Sequence, residues 1–256
     1  MKKSLYKICG LSIALLCTAT SAIAASSATP KICQGLPTYA QLKTALGTAQ
    51  SQANGGFGLE MWASVVNRDG FVCAVAYSGA DRNKQWPGSR LISAQKAYTA
   101  NAFSLDGLAL STANLYGPIQ PGGSLFGLQH SNPMDPAIAY YGSPVRYGTA
   151  TDPLVGKKIG GINGFGGGLG LYKKVKGKNV IVGAIGVSGD SSCADHNIAW
   201  RTRSNLAGFN VLPNGVSAAH DDGIVYDANS VYTGWEHPNC GTGGEKAVSV
   251  AIGAGQ

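Results

Sequence analysis

Apolar and polar positions alternate along this chain in two rhythms, one of helical period and one of period two. Between Thr38 and Asn54, Leu42, Ala45, Leu46 and Ala49 fall at helical spacing. Thr38 after Pro37 suits an N-cap, and Asn54-Gly55-Gly56 suits a stop. Phe57 to Val66 alternates as a strand. Asn67-Arg68-Asp69-Gly70 then reads as a turn, and Phe71 to Tyr77 as a second strand. This stretch predicts helix, strand, tight turn and strand as one antiparallel unit. Ser89 to Phe103 is an Ala-rich helix with Ile92, Lys96, Thr99 and Phe103 along one face. A shorter helical piece is expected over Leu105 to Ala113. Tyr116 to Gly168 is full of Gly, Pro, Ser and Asn, and a loop of that length is usually functional or wraps a surface. Gly168 to Lys174 and Asn179 to Val187 read as two further strands turning at Lys176-Gly177-Lys178. Ser191 to Leu206 reads as a last helix. Periodicity fades from Gly208 onward, where Val248 to Ile252 is expected to add a short strand. There is no internal repeat. The order of elements predicts an α+β layout, an antiparallel sheet with helices packed on it.

The N-terminus changes the picture of compartment. Met1-Lys2-Lys3-Ser4-Leu5-Tyr6-Lys7 is a positive region, Ile8 to Cys17 an apolar run, and Ala22-Ile23-Ala24 a small-x-small cleavage pattern. Residues 1–24 are therefore read as a signal peptide cleaved after Ala24, leaving Ala25–Gln256 for the periplasm or the exterior. That is a length suited to one domain. Loss of Lys2, Lys3 and Lys7 lowers the formal charge from +7 to +4. The one dense basic run, Lys173-Lys174-Val175-Lys176-Gly177-Lys178, sits in an expected turn, which argues against nucleic-acid binding. No other apolar run is long enough to span a membrane. Cys9 and Cys17 leave with the signal. Cys33, Cys73, Cys193 and Cys240 remain, an even set that in an exported chain favours two disulfides. No Cys-x-x-Cys is present, which disfavours a zinc ribbon or a dithiol redox site.

Local chemistry is sparse. Lys96 and Thr99 sit one turn apart on a helix otherwise of alanine and apolar residues. In a pocket, Lys96 would pair with an anionic group and Thr99 would offer a hydroxyl. On a surface, the lysine would snorkel and the threonine bond to backbone. Gly186-Val187-Ser188-Gly189 leads a strand into a helix, where backbone N–H groups hold anions. Tight packing between strand and helix explains the same small residues equally well. Gly186 to Asp190 lacks the final glycine of a nucleophile elbow, and the run from Gly160 to Gly170 fails the dinucleotide spacing. The four histidines, His130, His196, His220 and His237, show no i, i+4 pair for a metal. His220-Asp221-Asp222 is a possible metal cluster in the tail.

Three stretches, taken in order, resemble the GlcG/HbpS family of haem-binding-like proteins. They are Ser93-Ala94-Gln95-Lys96-Ala97-Tyr98-Thr99-Ala100, Gly160-Gly161-Ile162-Asn163-Gly164-Phe165-Gly166-Gly167-Gly168-Leu169, and Val182-Gly183-Ala184-Ile185-Gly186-Val187-Ser188-Gly189 with Asp195 beyond it. That family also resembles the C-terminal domain of some corrinoid adenosyltransferases. The likeness covers about Thr38 to Leu206. It departs from the family core at an insertion of about 117–157 and a tail of about 208–256. The resemblance implies a profilin-like antiparallel sheet of about five strands with flanking helices, homo-oligomers, and haem or a related tetrapyrrole as ligand. It marks Lys96, Thr99, Phe103, Phe165, Gly166, Gly167, Gly186, Ser188, Gly189 and Asp195 as the candidate binding set. Haem iron takes axial histidine among other ligands, which makes His130 and His196 candidate iron ligands. Running the first helix antiparallel to the first strand brings Cys33 near Cys73. That leaves Cys193, at the start of the last helix, to Cys240. The expected function is an exported binder of haem or another planar anionic ligand, for scavenging, storage or sensing. A haem-dependent oxidoreductase or haem-degrading enzyme, and an oligomeric interaction module without a small ligand, are the alternatives.

Overall fold

In a computed structural model, residues 29–227, 229 and 234–256 are described. The expected signal peptide, residues 1–24, lies outside the described residues. The chain begins its regular structure with a 3-10 turn, Lys31–Cys33, and helix α1, Tyr39–Gln50. Thr38 closes a capping box with Gln41: its Oγ1 accepts the Gln41 N–H and its own N–H donates to Gln41 Oε1. Strands β1 (Trp62–Asn67) and β2 (Val72–Tyr77) form the expected hairpin. Helix α2 (Ser89–Phe103) follows. Strands β3 (Gly168–Val175) and β4 (Lys178–Ser188) make a second hairpin, and helix α6 (Ser192–Asn205) comes after them. Between α2 and β3 lie the short turns α3 (Tyr116–Ile119), α4 (Leu128–Ser131) and α5 (Pro136–Ala139). The tail holds a two-residue parallel ribbon, β5 (Val225–Tyr226) with β6 (Glu236–His237), and helix α7 (Glu245–Ala251).

The main sheet runs β2-β1-β4-β3, antiparallel throughout. It is an α+β sheet of four strands rather than about five, because Val248 to Ile252 lies mostly in α7 and adds no strand. Both faces are covered, so strands that alternate in side-chain direction are buried along nearly their whole length. Leu42, Leu46 and Ala49 of α1 and Ile198 and Ala199 of α6 pack with Ala63, Val65, Leu169, Leu171, Ile185 and Val187. On the opposite face, Ala94, Ala97 and Ala100 of α2 pack with Trp62, Val66, Val72, Val75 and Ala184. Ala139 and Leu154 of the stretch 117–157 join that second core, with Ile159 just beyond it, so this stretch is a packed layer and not a free loop. Its anchors are the bidentate pair of Arg90 with Asp152, at 2.9 and 2.5 Å, and the bonds of the Val72 backbone to Lys157 and Gly156.

The other departures have local causes. The first strand starts at Trp62, not Phe57, because the Phe57 and Leu59 N–H groups donate to the Asp190 carboxylate at 2.8 and 2.9 Å instead of to a neighbouring strand. Leu105 to Ala113 is not helical. Leu105 and Leu108 bond each other's backbone, and the Ser104 hydroxyl bonds both polar groups of Leu110. Both disulfide pairings are as expected, Cys33–Cys73 with Cα atoms 5.4 Å apart and Cys193–Cys240 at 6.1 Å. Among the described residues, no helix is long and apolar enough to cross a membrane.

Candidate functional site

The expected binding residues converge where α2, the glycine-rich segment before β3, the end of β4 and the start of α6 meet. Lys96 is buried, and its Nζ lies 2.6 Å from Oδ2 of buried Asp195. Oδ1 of Asp195 accepts the N–H groups of Gly189 and Asp190 at 3.0 and 2.8 Å. Burial pushes the Asp195 carboxyl up to about 6 despite the opposing ammonium of Lys96. Lys96 thus holds a carboxylate of its own chain. Thr99 is fully buried: its hydroxyl donates to the Gln95 carbonyl and accepts the Asn163 N–H, at 2.8 and 2.9 Å.

The glycines are there for close approach. A Cβ on Gly186 would lie 2.0 Å from the Ser93 carbonyl oxygen, and one on Gly167 2.3 Å from that of Val187. A Cβ on Gly166 would press on the Ser192 carbonyl, and one on Gly189 on that of Glu60. Gly167 also has φ of 118°, which favours glycine. Ser188 is buried and bonds Ser89 at 3.3 Å. Phe103 is half-buried, and Phe165 is exposed at the mouth of the cluster, its ring 5.8 Å from that of Tyr116.

The two candidate iron ligands lie elsewhere. His130 is exposed on α4. His196 is enclosed, with Nε2 3.1 Å from the Ala254 carbonyl, and burial lowers its pKa to about 3. The tail cluster is also spoken for: Asp222 forms a buried bidentate pair with Arg203 at 2.6 and 2.8 Å, and Asp221 accepts from Ser217.

Two residues absent from the expected set complete this region. Ser192, the first residue of α6, places Oγ 2.7 Å from Nε2 of buried His237. His237 lies in the tail with no local motif around it, so only the fold brings the pair together. The sulfurs of Cys193 and Cys240 lie close to His237, but they are bonded to each other, so no thiolates are present to take a metal there.

A separate cavity of about 360 Å³ opens beside the start of α2. Trp62, Leu91, Ala139, Tyr140 and Tyr147 give it apolar and aromatic walls, with Arg82 and Arg90 among the lining. Arg90 is committed to Asp152 and stacks 3.6 Å from the Tyr147 ring centroid. Among the described residues, Arg82 donates only to the Pro144 carbonyl, and the buried Trp62 indole N–H has no acceptor. Nothing in the local sequence marked this cavity, since its walls come from β1, α2 and the insertion.

No curated protein matches the chain. Its structure is similar to the PduOC:heme complex, at 21% identity and a TM-score of 0.44, covering 67% of this chain and 91% of that one. It is also similar to the Klebsiella pneumoniae protein ORFY, at 23% identity and a TM-score of 0.43, covering 69% and 92%. HbpS is a third, at 18% identity and a TM-score of 0.41, covering 66% and 86%. A family model described as "Haem degrading protein HbpS-like" matches residues 38–203, and the chain belongs to that HbpS-like family.

Proposed function

We propose that this protein binds haem, or a related planar tetrapyrrole bearing carboxylates, outside the cytoplasm. Family membership supports the ligand class. The observation that carries the reading is the cavity beside α2. Aromatic and aliphatic walls suit a flat apolar ring, and Arg82, with no carboxylate partner among the described residues, suits a peripheral carboxylate. Tyr140 lines the cavity and is 66% exposed, and a tyrosine phenol is among the ligands haem iron takes. The two disulfides favour an oxidising compartment, in keeping with the signal peptide expected from the sequence. Self-association, which the family resemblance implies, belongs to the same reading, and light scattering measures it.

Titration of haemin into the folded protein tests the binding. A saturable one-to-one change in the Soret band is expected, weakened at least tenfold by Arg82→Glu. Absence of saturation overturns it. The family's description as haem degrading favours a second reading, an enzyme acting on the bound ring. Loss of the Soret band over many turnovers with reductant and dioxygen separates enzyme from binder.

A further inference from the structure

We propose that Ser192 and His237 form a nucleophile–base dyad that hydrolyses small carboxylic esters with an apolar acyl group. The proton positions follow from the acceptors. Nδ1 of His237 lies 2.7 Å from the Pro238 carbonyl oxygen, which can only accept, so Nδ1 carries the hydrogen. Nε2 then has a lone pair, and the Ser192 hydroxyl at 2.7 Å donates to it. That is the tautomer a general base needs to take a serine proton. Burial is the main cause holding the imidazole pKa down, to about 4, with the Pro238 carbonyl opposing and Lys96 assisting, so the base is neutral at pH 7.

The surroundings position the pair. The Gly166 N–H donates to Ser192 Oγ at 2.8 Å, which fixes the hydroxyl and steadies the oxygen as it loses its proton. The Cys193–Cys240 disulfide ties the residue after Ser192 to the tail three residues past His237. The Tyr116 ring packs 5.0 Å from the imidazole. Ser192 is half-buried, and its N–H belongs to the first turn of a 14-residue helix, where N–H groups have no intrahelical partner. It points to an oxyanion donor of the usual backbone kind. Phe165, 46% exposed, has its ring 5.8 Å from that of Tyr116, and the two rings supply apolar surface for an acyl chain beside the imidazole.

In the reaction, Ser192 Oγ bonds to the ester carbonyl carbon while its proton passes to His237 Nε2. The bond from that carbon to the alcohol oxygen then breaks, and the imidazolium returns the proton to the departing alcohol. Water, losing a proton to His237, attacks the acyl-serine and releases the carboxylic acid, which restores both side chains.

The test uses a fluorophosphonate probe on the full disulfide-bonded chain. Attack by Ser192 forms a P–O bond and breaks P–F, with fluoride leaving and the serine proton held by His237. Peptide mass spectrometry is expected to place the adduct on Ser192. Ser192→Ala removes it, and His237→Gln slows labelling about 100-fold or more, the usual contribution of a general base. The labelling rate is expected to stay level from pH 8 down to about pH 5, as the low histidine pKa requires. No adduct on folded protein, or labelling that survives His237→Gln in a variant that still melts cooperatively, overturns the proposal. Haemin binding is expected to be unchanged in Ser192→Ala, so this dyad and the haem reading fail separately.

Discussion

Removing the ammonium of Lys96 would leave the Asp195 carboxylate sealed in the core with only two backbone N–H donors. A buried charge stripped of its partner costs about 3–5 kcal/mol. Lys96→Ala is therefore expected to lower the free energy of unfolding by that amount in urea melts, while Lys96→Met with Asp195→Asn, whose amide oxygen still accepts the Gly189 and Asp190 N–H groups, recovers much of it. A ligand role for Lys96 would instead leave stability nearly unchanged. Acid sensitivity belongs to the same scale. His196 and His237 titrate near 3 and 4 in the fold against an ordinary 6.5. Between those values the unfolded chain binds more protons, so acid favours unfolding. Their contribution is complete above pH 6.5 and is lost as pH falls toward 3. Asp195, raised from 3.8 to about 6, works in the opposite sense, but one shift opposes two larger ones. The melting temperature is expected to fall from pH 7 to pH 4, and His196→Gln is expected to flatten that fall.

At the level of elements, the hairpins, the three long helices and both disulfides were legible, because apolar spacing and turn residues act locally. Helix α7 was not. Its two fully buried residues are Glu245 and Ser249, which face Asn197 on α6, while Val250 is exposed. Polar burial inverts the pattern, and the valines mimic a strand. The small residues of β4 were legible as small but not as to purpose. Gly186 lets α2 lie on the sheet, and Gly186→Ala would drive a methyl into the Ser93 carbonyl. Overpacking of that kind costs about 1–3 kcal/mol, which thermal melts will show, without a change in ester chemistry. Removing Cys33 and Cys73 together by alanine is expected to cost about 2–4 kcal/mol, since the bridge closes a 40-residue separation.

At the scale of the whole molecule, the stretches 117–157 and 208–256 complete the packing around the sheet and α6. The stretch 117–157 seals one face of the sheet through Ala139, Leu154 and the Arg90–Asp152 pair, and it contributes Ala139, Tyr140, Pro144 and Tyr147 to the cavity beside α2. The tail brings His237 to Ser192 across 45 positions. Both sites were illegible in the sequence for one reason: their parts come from segments without periodicity whose partners are fixed only by long-range packing. Lys96 and Thr99, conspicuous as polar residues on an alanine helix, are instead the interior hydrogen-bonding that joins α2 to Asp195 and Asn163. On the proposed function, a planar carboxylate-bearing ligand occupies the cavity. Haemin titration of the wild type and of Leu91→Trp, which fills the cavity from α2, tests it most directly. One-to-one saturation is expected in the wild type, and at least a tenfold rise in Kd, about 1.4 kcal/mol, in the variant. Equal affinity in the two proteins, or no saturation in either, would contradict it.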